Sequence, residues 1–92
     1  MVIRKGKAQV TFSYRPSAAC RRVEIAGNFN GWRPEQGRMT RQKDGSYRKR
    51  YTLDTGEYRY RFVVDGRWTD DPDAEQTVPN EFGTCDAVVC VE

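Results

Sequence analysis

Arg61 and Trp68 stand on either side of Asp65-Gly66 in the stretch Glu57 to Trp68, and their spacing sets the chemistry open to this chain. Asp-Gly between two extended runs favours a two-residue turn, because Gly takes positive φ without steric cost and Asp tolerates it. With those two residues as the loop, Val64 falls opposite Arg67 and Val63 opposite Trp68. Trp68 then shares a face with Arg61 and lies away from Tyr60 and Phe62, so it is predicted to be exposed. A large aromatic beside a guanidinium on the solvated side of a sheet points to a binding surface, since a folding core has little need of it.

Composition removes several other chemistries. The chain has no histidine, so Ser-His and Cys-His catalysis are excluded, and without a Cys-x-x-Cys pair a zinc site lacks ligands. Asp70, Asp71, Asp73 and Glu75 bring four carboxylates into one stretch, which raises calcium binding or an acid–base pair. The calcium-loop pattern is not met and a sandwich this small rarely forms a glycosidase cleft, so a solvated turn around Pro72 is the expectation. Lys plus Arg number 16 against 13 Asp plus Glu, with basic clusters at Arg48-Lys49-Arg50 and at Arg59 and Arg61. Nucleic-acid binding is disfavoured, because so small an excess makes a weak electrostatic footprint and solvated strand faces account for the clusters.

A sheet must position the candidate groups. Tyr58, Tyr60, Phe62 and Val64 alternate with Glu57, Arg59, Arg61 and Val63, the period of a strand with one buried face. Ala8, Val10, Phe12 and Tyr14 alternate with Gln9, Thr11 and Ser13 in a first strand that ends at Arg15-Pro16-Ser17. Val23 and Ile25 mark a second strand, and Gly27 to Arg38 reads as a shaped loop dense in Gly, Asn and Pro. In that loop Phe29 continues the parity of Ile25 and reads as a plug, whereas Trp32 reads equally as a plug or as a platform.

A short strand over Met39 to Gln42 leads into a second Asp-Gly turn, and Ser46 to Leu53 returns with Lys49 interrupting the face of Tyr47, Tyr51 and Leu53. Ala74 to Asn80 shows no clear period and is expected to be irregular. The last strand, Cys85 to Val91, is expected to be covered on both faces over part of its length. Phe82, Thr84 and Asp86 share one parity entering it, so a regular strand would gather an aromatic, a hydroxyl and a carboxylate that could grip a polyol. Turn signals about every ten residues, with no helical period anywhere, predict an antiparallel sandwich.

At 92 residues the chain is read as a single domain, residues 1–92, with a thin core: 37% of residues are hydrophobic and 32% charged. Met1 to Lys7 is basic with no apolar stretch behind it, so neither a secretory signal nor a transmembrane helix is expected, which points to the cytoplasm and to no membrane. Three cysteines, with Cys85 and Cys90 on opposite faces of one strand, fit reduced thiols.

Four segments carry a family resemblance: G-N-F-N-G-W at Gly27 to Trp32, G-E-Y-R-Y-R-F-V-V-D-G-R-W at Gly56 to Trp68, Asp71-Pro72, and F-G-T-C-D at Phe82 to Asp86. In order and spacing they resemble the glycogen-binding module of AMP-activated protein kinase β subunits, related to the N-terminal early-set domains of isoamylases and branching enzymes. The resemblance spans Val23 to Val91. It implies an all-β, immunoglobulin-like early-set antiparallel sandwich that binds α-1,4-glucan, polysaccharide or oligosaccharide, without cleaving it and without a cofactor.

Trp32 and Trp68 would stack on glucose rings. Arg61 stands where the family has lysine, Phe82 where it has leucine, Thr84 matches a threonine and Asp86 stands where it has asparagine. Arg keeps a donor in a different shape, Phe adds area in the sugar's path, and Asp loses two donors and could pair with Arg61. The resemblance thus implies a carbohydrate site of Trp32, Arg61, Trp68, Phe82, Thr84 and Asp86. The alternative is a protein-interaction domain of early-set type that has lost glycan binding and packs on a glycogen-metabolism enzyme or another protein, which the Phe82 and Asp86 departures favour.

Overall fold

A computed structural model describes residues 8–16, 19–74 and 76–91; Met1 to Lys7, Ser17 and Glu75, which entered the expectations above, lie outside them. The described chain forms eight strands, β1 (Ala8–Tyr14), β2 (Val23–Gly27), β3 (Thr40–Arg41), β4 (Tyr47–Leu53), β5 (Gly56–Val64), β6 (Arg67–Thr69), β7 (Gln76–Pro79) and β8 (Cys85–Val91), with one 3₁₀ turn at Pro34–Gln36. They form two antiparallel sheets, β1-β4-β3 and β2-β5-β8-β7, with β6 added on β5. This is the antiparallel β-sandwich that the alternation predicts. Among the described residues no helix is long and apolar enough to cross a membrane.

The nine residues of β5 make it the axis of the larger sheet. Tyr60 to Val64 pair with β2 on one edge, while the other edge takes β8 along Gly56 to Tyr60 and β6 along Phe62 to Val64. Its even residues face the smaller sheet: Tyr60 and Phe62 join Val23, Ile25, Ala87 and Val91 against Phe12, Met39, Tyr47 and Leu53. Phe12 links the layers, with its ring 4.9 Å from that of Tyr60 and 5.2 Å from that of Phe29. Each such aromatic pair adds about 0.5–1.5 kcal/mol to the area it buries.

One expectation is amended and another is given its physical detail. Gln76 to Pro79 forms an edge strand on β8 where irregular chain was expected. An edge strand is anchored through one side only, so it needs no apolar alternation, and Pro79 at its end costs no ladder bond. Lys49 does sit on the inner face of β4, opposite Phe12, but its ammonium lies 5.5 Å from the centroid of the Tyr51 ring. An ammonium over an aromatic face is attracted by the ring, so the charge on this face has a partner. The last strand is buried from Asp86 through Val88, both parities included, as expected.

Two contacts tie the loops to this frame. Gly37 accepts the amide of Ile25 at 2.8 Å, and a Cβ there would stand 1.9 Å from the Ile25 carbonyl oxygen. Tyr60 donates its hydroxyl to Asp71 Oδ2, fastening the turn after β6 to the core. Burial first, and the Asp71 carboxylate second, push the Tyr60 pKa up.

Gly37→Ala is expected to destabilise the protein by more than about 2 kcal/mol in urea melts, because neither backbone can yield. Tyr60→Phe should cost about 1.5–3 kcal/mol at neutral pH. A raised pKa contributes stability that is complete below the unfolded value, near 10, and is lost as pH rises beyond it. The advantage of wild type over Tyr60→Phe should therefore shrink by about 1 kcal/mol between about pH 9 and about pH 11, read by denaturant melts at both.

Candidate functional site

Asp65 and Gly66 both have positive φ, 49° and 85°, as the expected two-residue hairpin turn demands. Val64 pairs with Arg67 and Val63 with Trp68, the register derived from sequence. Trp68 lies on the Arg61 side of the sheet and is 47% exposed. Asp65 Oδ1 accepts the amides of Arg21 and Arg22, both at 2.9 Å, which holds the hairpin against the chain entering β2.

Arg61 differs from a side chain standing free in water. Its guanidinium donates from Nη2 to Asp70 Oδ1 at 2.8 Å and from Nη1 to Thr84 Oγ1 at 3.3 Å, leaving the side chain only 14% exposed. The surrounding outer face is shielded as well: Ala26, paired with Arg61, is fully buried, and Val63 is almost so. The cation therefore joins β5, the segment after β6 and the β7–β8 loop. Its ion partner is Asp70, where Asp86 had been the candidate.

The β7–β8 loop is built by Asn80. Its Oδ1 accepts the amides of Phe82 and Thr84 and the Thr84 hydroxyl, and its Nδ2 donates to Asp86 Oδ1 at 2.9 Å. Gly83 closes the turn with φ of 80°. The strand begins only at Cys85, so of Phe82, Thr84 and Asp86 only Asp86 lies in the ladder and the other two belong to the loop. Thr84 reaches Arg61, Phe82 projects 81% exposed from the loop, and Asp86 is buried.

Trp32 is carried by a second asparagine-built loop. Asn30 Oδ1 accepts the Gly27 amide, while its Nδ2 donates to the Ile25 carbonyl and to Tyr51 Oη. Gly31 and Trp32 both take positive φ, 69° and 59°, and the Trp32 amide donates to the Gly27 carbonyl. For a bulky residue that conformation costs about 1–2 kcal/mol, and such strain persists where the surroundings fix it. Phe29 is the plug, stacked on Phe12 with Tyr51 4.8 Å away, whereas Trp32 is 36% exposed. Asn28 exchanges hydrogen bonds with the Arg59 backbone, which brings this loop to β5 two residues from Arg61.

From sequence Asp70 reads only as part of a solvated turn, and Asn30 and Asn80 are given no role. Asn80 followed three residues later by Gly83 is a turn signature that would have marked the loop. Among the described residues no group of three His, Cys, Asp or Glu is placed to hold a metal. The array can stack apolar rings and exchange hydrogen bonds with hydroxyls.

The family described as the glycogen recognition site of AMP-activated protein kinase matches residues 8–92. The 5'-AMP-activated protein kinase subunit beta-1 of Sus scrofa is 32% identical over 79 residues, which cover 86% of this chain and 62% of that protein. The corresponding subunit of Rattus norvegicus is 32% identical over 79 residues, 86% of this chain and 28% of that protein. Protein FLOURY ENDOSPERM 6, chloroplastic, of Oryza sativa subsp. japonica is 40% identical over 50 residues, 54% of this chain and 9% of that protein. The chain thus spans less than two thirds of each of these relatives. Matched across nearly its whole length, it belongs to the family of the AMP-activated protein kinase glycogen recognition site.

Proposed function

We propose that this chain is a non-catalytic, cytoplasmic module that docks on α-1,4-glucan. The observation that carries the reading is an exposed indole, Trp68, on the same sheet face as an Arg61 guanidinium already bonded to Thr84. Glucose has a C–H face that covers an indole and a rim of hydroxyls that need partners. In this reading Trp68 and Trp32 are the stacking platforms, Phe82 flanks the sugar chain, and Arg61 and Thr84 supply hydrogen bonds. Asp86, buried on Asn80, contributes by holding the Phe82–Thr84 loop in shape.

Two stacks and three or four hydrogen bonds, at about 1 kcal/mol each over the cost of ordering, give roughly 4–6 kcal/mol and a Kd of about 0.1–1 mM. A branched polymer with many chain ends would hold the module more firmly through rebinding.

The smaller sheet favours a second reading, a docking surface for a protein partner. Its outer face pairs Thr11 with Arg50 and Ser13 with Arg48, all four exposed, and residues 38–50 carry six Lys or Arg against Asp44 alone. An uncharged glucan gains nothing from such a face, whereas an acidic protein surface would. Co-purification of such a partner should survive amylase treatment and fail with Arg48→Glu/Arg50→Glu. Loss on amylase treatment alone would assign the association to glucan.

Titration with β-cyclodextrin or a linear maltooligosaccharide should shift the indole N–H signals of Trp32 and Trp68 and saturate in the range of about 0.1–1 mM. Signals that stay flat into the millimolar range would defeat the reading. Trp68→Ala should weaken binding about tenfold while moving Tm by only a few degrees, since the side chain is half exposed. Full binding by that variant would remove the platform.

A further inference from the structure

Asp70 belongs to a stretch read from sequence as a solvated turn, yet its carboxylate meets the cation of the proposed glucan face. Its Oδ1 accepts from Arg61 Nη2 at 2.8 Å, and its side chain keeps 66% of its surface open while Arg61 keeps 14%. A carboxylate offers about four acceptor sites and a guanidinium five donors. The ion pair occupies one of each and Thr84 takes one more donor; Arg61 Nε is buried, so the donors left to a ligand are the second N–H groups of Nη1 and Nη2. Unused acceptors of Asp70 therefore lie beside a cation that retains free N–H groups.

The pair is held in place before any ligand arrives. Asp71, the next residue, is bonded to Tyr60 in the core through Oδ2 and accepts the Asp73 amide through Oδ1 at 2.9 Å. Thr84, on the other side of the guanidinium, is held by Asn80. An acceptor and a donor set side by side at this separation match two neighbouring hydroxyls of a pyranose: one donates to the carboxylate while the next accepts from the guanidinium. Both bonds are charge-assisted, and little side-chain order remains to be lost on binding.

We propose that Asp70 is a further sugar-contacting residue, the acceptor half of an Asp70–Arg61 clamp on a vicinal diol of the glucan. This rests on the glucan reading above and deepens it. The indoles read only the C–H face of the ring; the clamp makes the site read its hydroxyls. An apolar ring of similar shape would cover the remaining acceptors of Asp70 and donors of Arg61 without bonding them, which is a basis for rejection.

The test is calorimetric titration of wild type, Asp70→Ala and Asp70→Asn with β-cyclodextrin and with its derivative in which every secondary hydroxyl is methylated. Asp70→Ala should weaken β-cyclodextrin binding about tenfold. Asp70→Asn, which keeps one acceptor oxygen, should recover part of that loss, and Tm shows that both variants are folded. The methylated compound, which keeps the C–H face and lacks the donors, should give the same result with wild type and Asp70→Ala. Unchanged or tighter β-cyclodextrin binding by Asp70→Ala overturns the clamp, as does weaker binding of the methylated compound by that variant, which would make Asp70 only a prop. No β-cyclodextrin binding by wild type overturns the glucan reading, and the clamp with it.

Discussion

The outward face of the larger sheet depends on the number of residues in one turn. Strand side chains alternate between faces, so a loop one residue longer than Asp65-Gly66 would send Trp68 toward the sandwich interior and reverse every residue of β6. The turn is secured twice, by positive φ at both positions and by the Asp65 carboxylate on the Arg21 and Arg22 amides. The second tie makes the position of β2 and the register of β6 a single arrangement. Arg61, paired with Ala26 of β2 and two residues from Val63, lies in the strip so defined.

A thin core cannot hold long loops by burial alone, and here two asparagines supply the order. Asn30 makes three hydrogen bonds within the Trp32 loop and to Tyr51; Asn80 makes four within the Phe82 loop and to Asp86. An amide side chain both donates and accepts, so it imitates a short piece of ladder where no strand passes. The consequence is two exposed aromatics carried on chain whose polar groups are largely satisfied. Loop stiffness of this kind lowers the ordering cost of binding, which matters most where the ligand offers only weak contacts.

The strands were legible because each carries its own period: β1, β5 and β8 announce an inner face, and Asp65-Gly66 fixes a register without tertiary information. The same logic separates Phe29 from the solvent, since it continues the parity of Ile25. Legibility stops where position depends on a partner distant in sequence. β7 has no apolar period because only one edge of it is paired. Parity could not be carried from Cys85 back through Asn80–Thr84, because a side-chain amide, and no ladder, sets that path. Nor could sequence choose between Asp70 and Asp86 as the partner of Arg61, for that choice is made by the Tyr60–Asp71 bond and by Asn80, which takes up Asp86.

Family membership, the sandwich and the outward Trp68 converge on one central claim: a sugar chain lies along the larger sheet, over Trp68 and Arg61. Intermolecular nuclear Overhauser effects in a complex with a labelled maltooligosaccharide test it most directly. Contacts from glucose C–H protons to the Trp68 ring and to the Arg61 side chain, with Trp32 on the same chain, are the predicted result. A bound sugar whose contacts fall instead on the outer face of the smaller sheet, around Arg48 and Arg50, would contradict it.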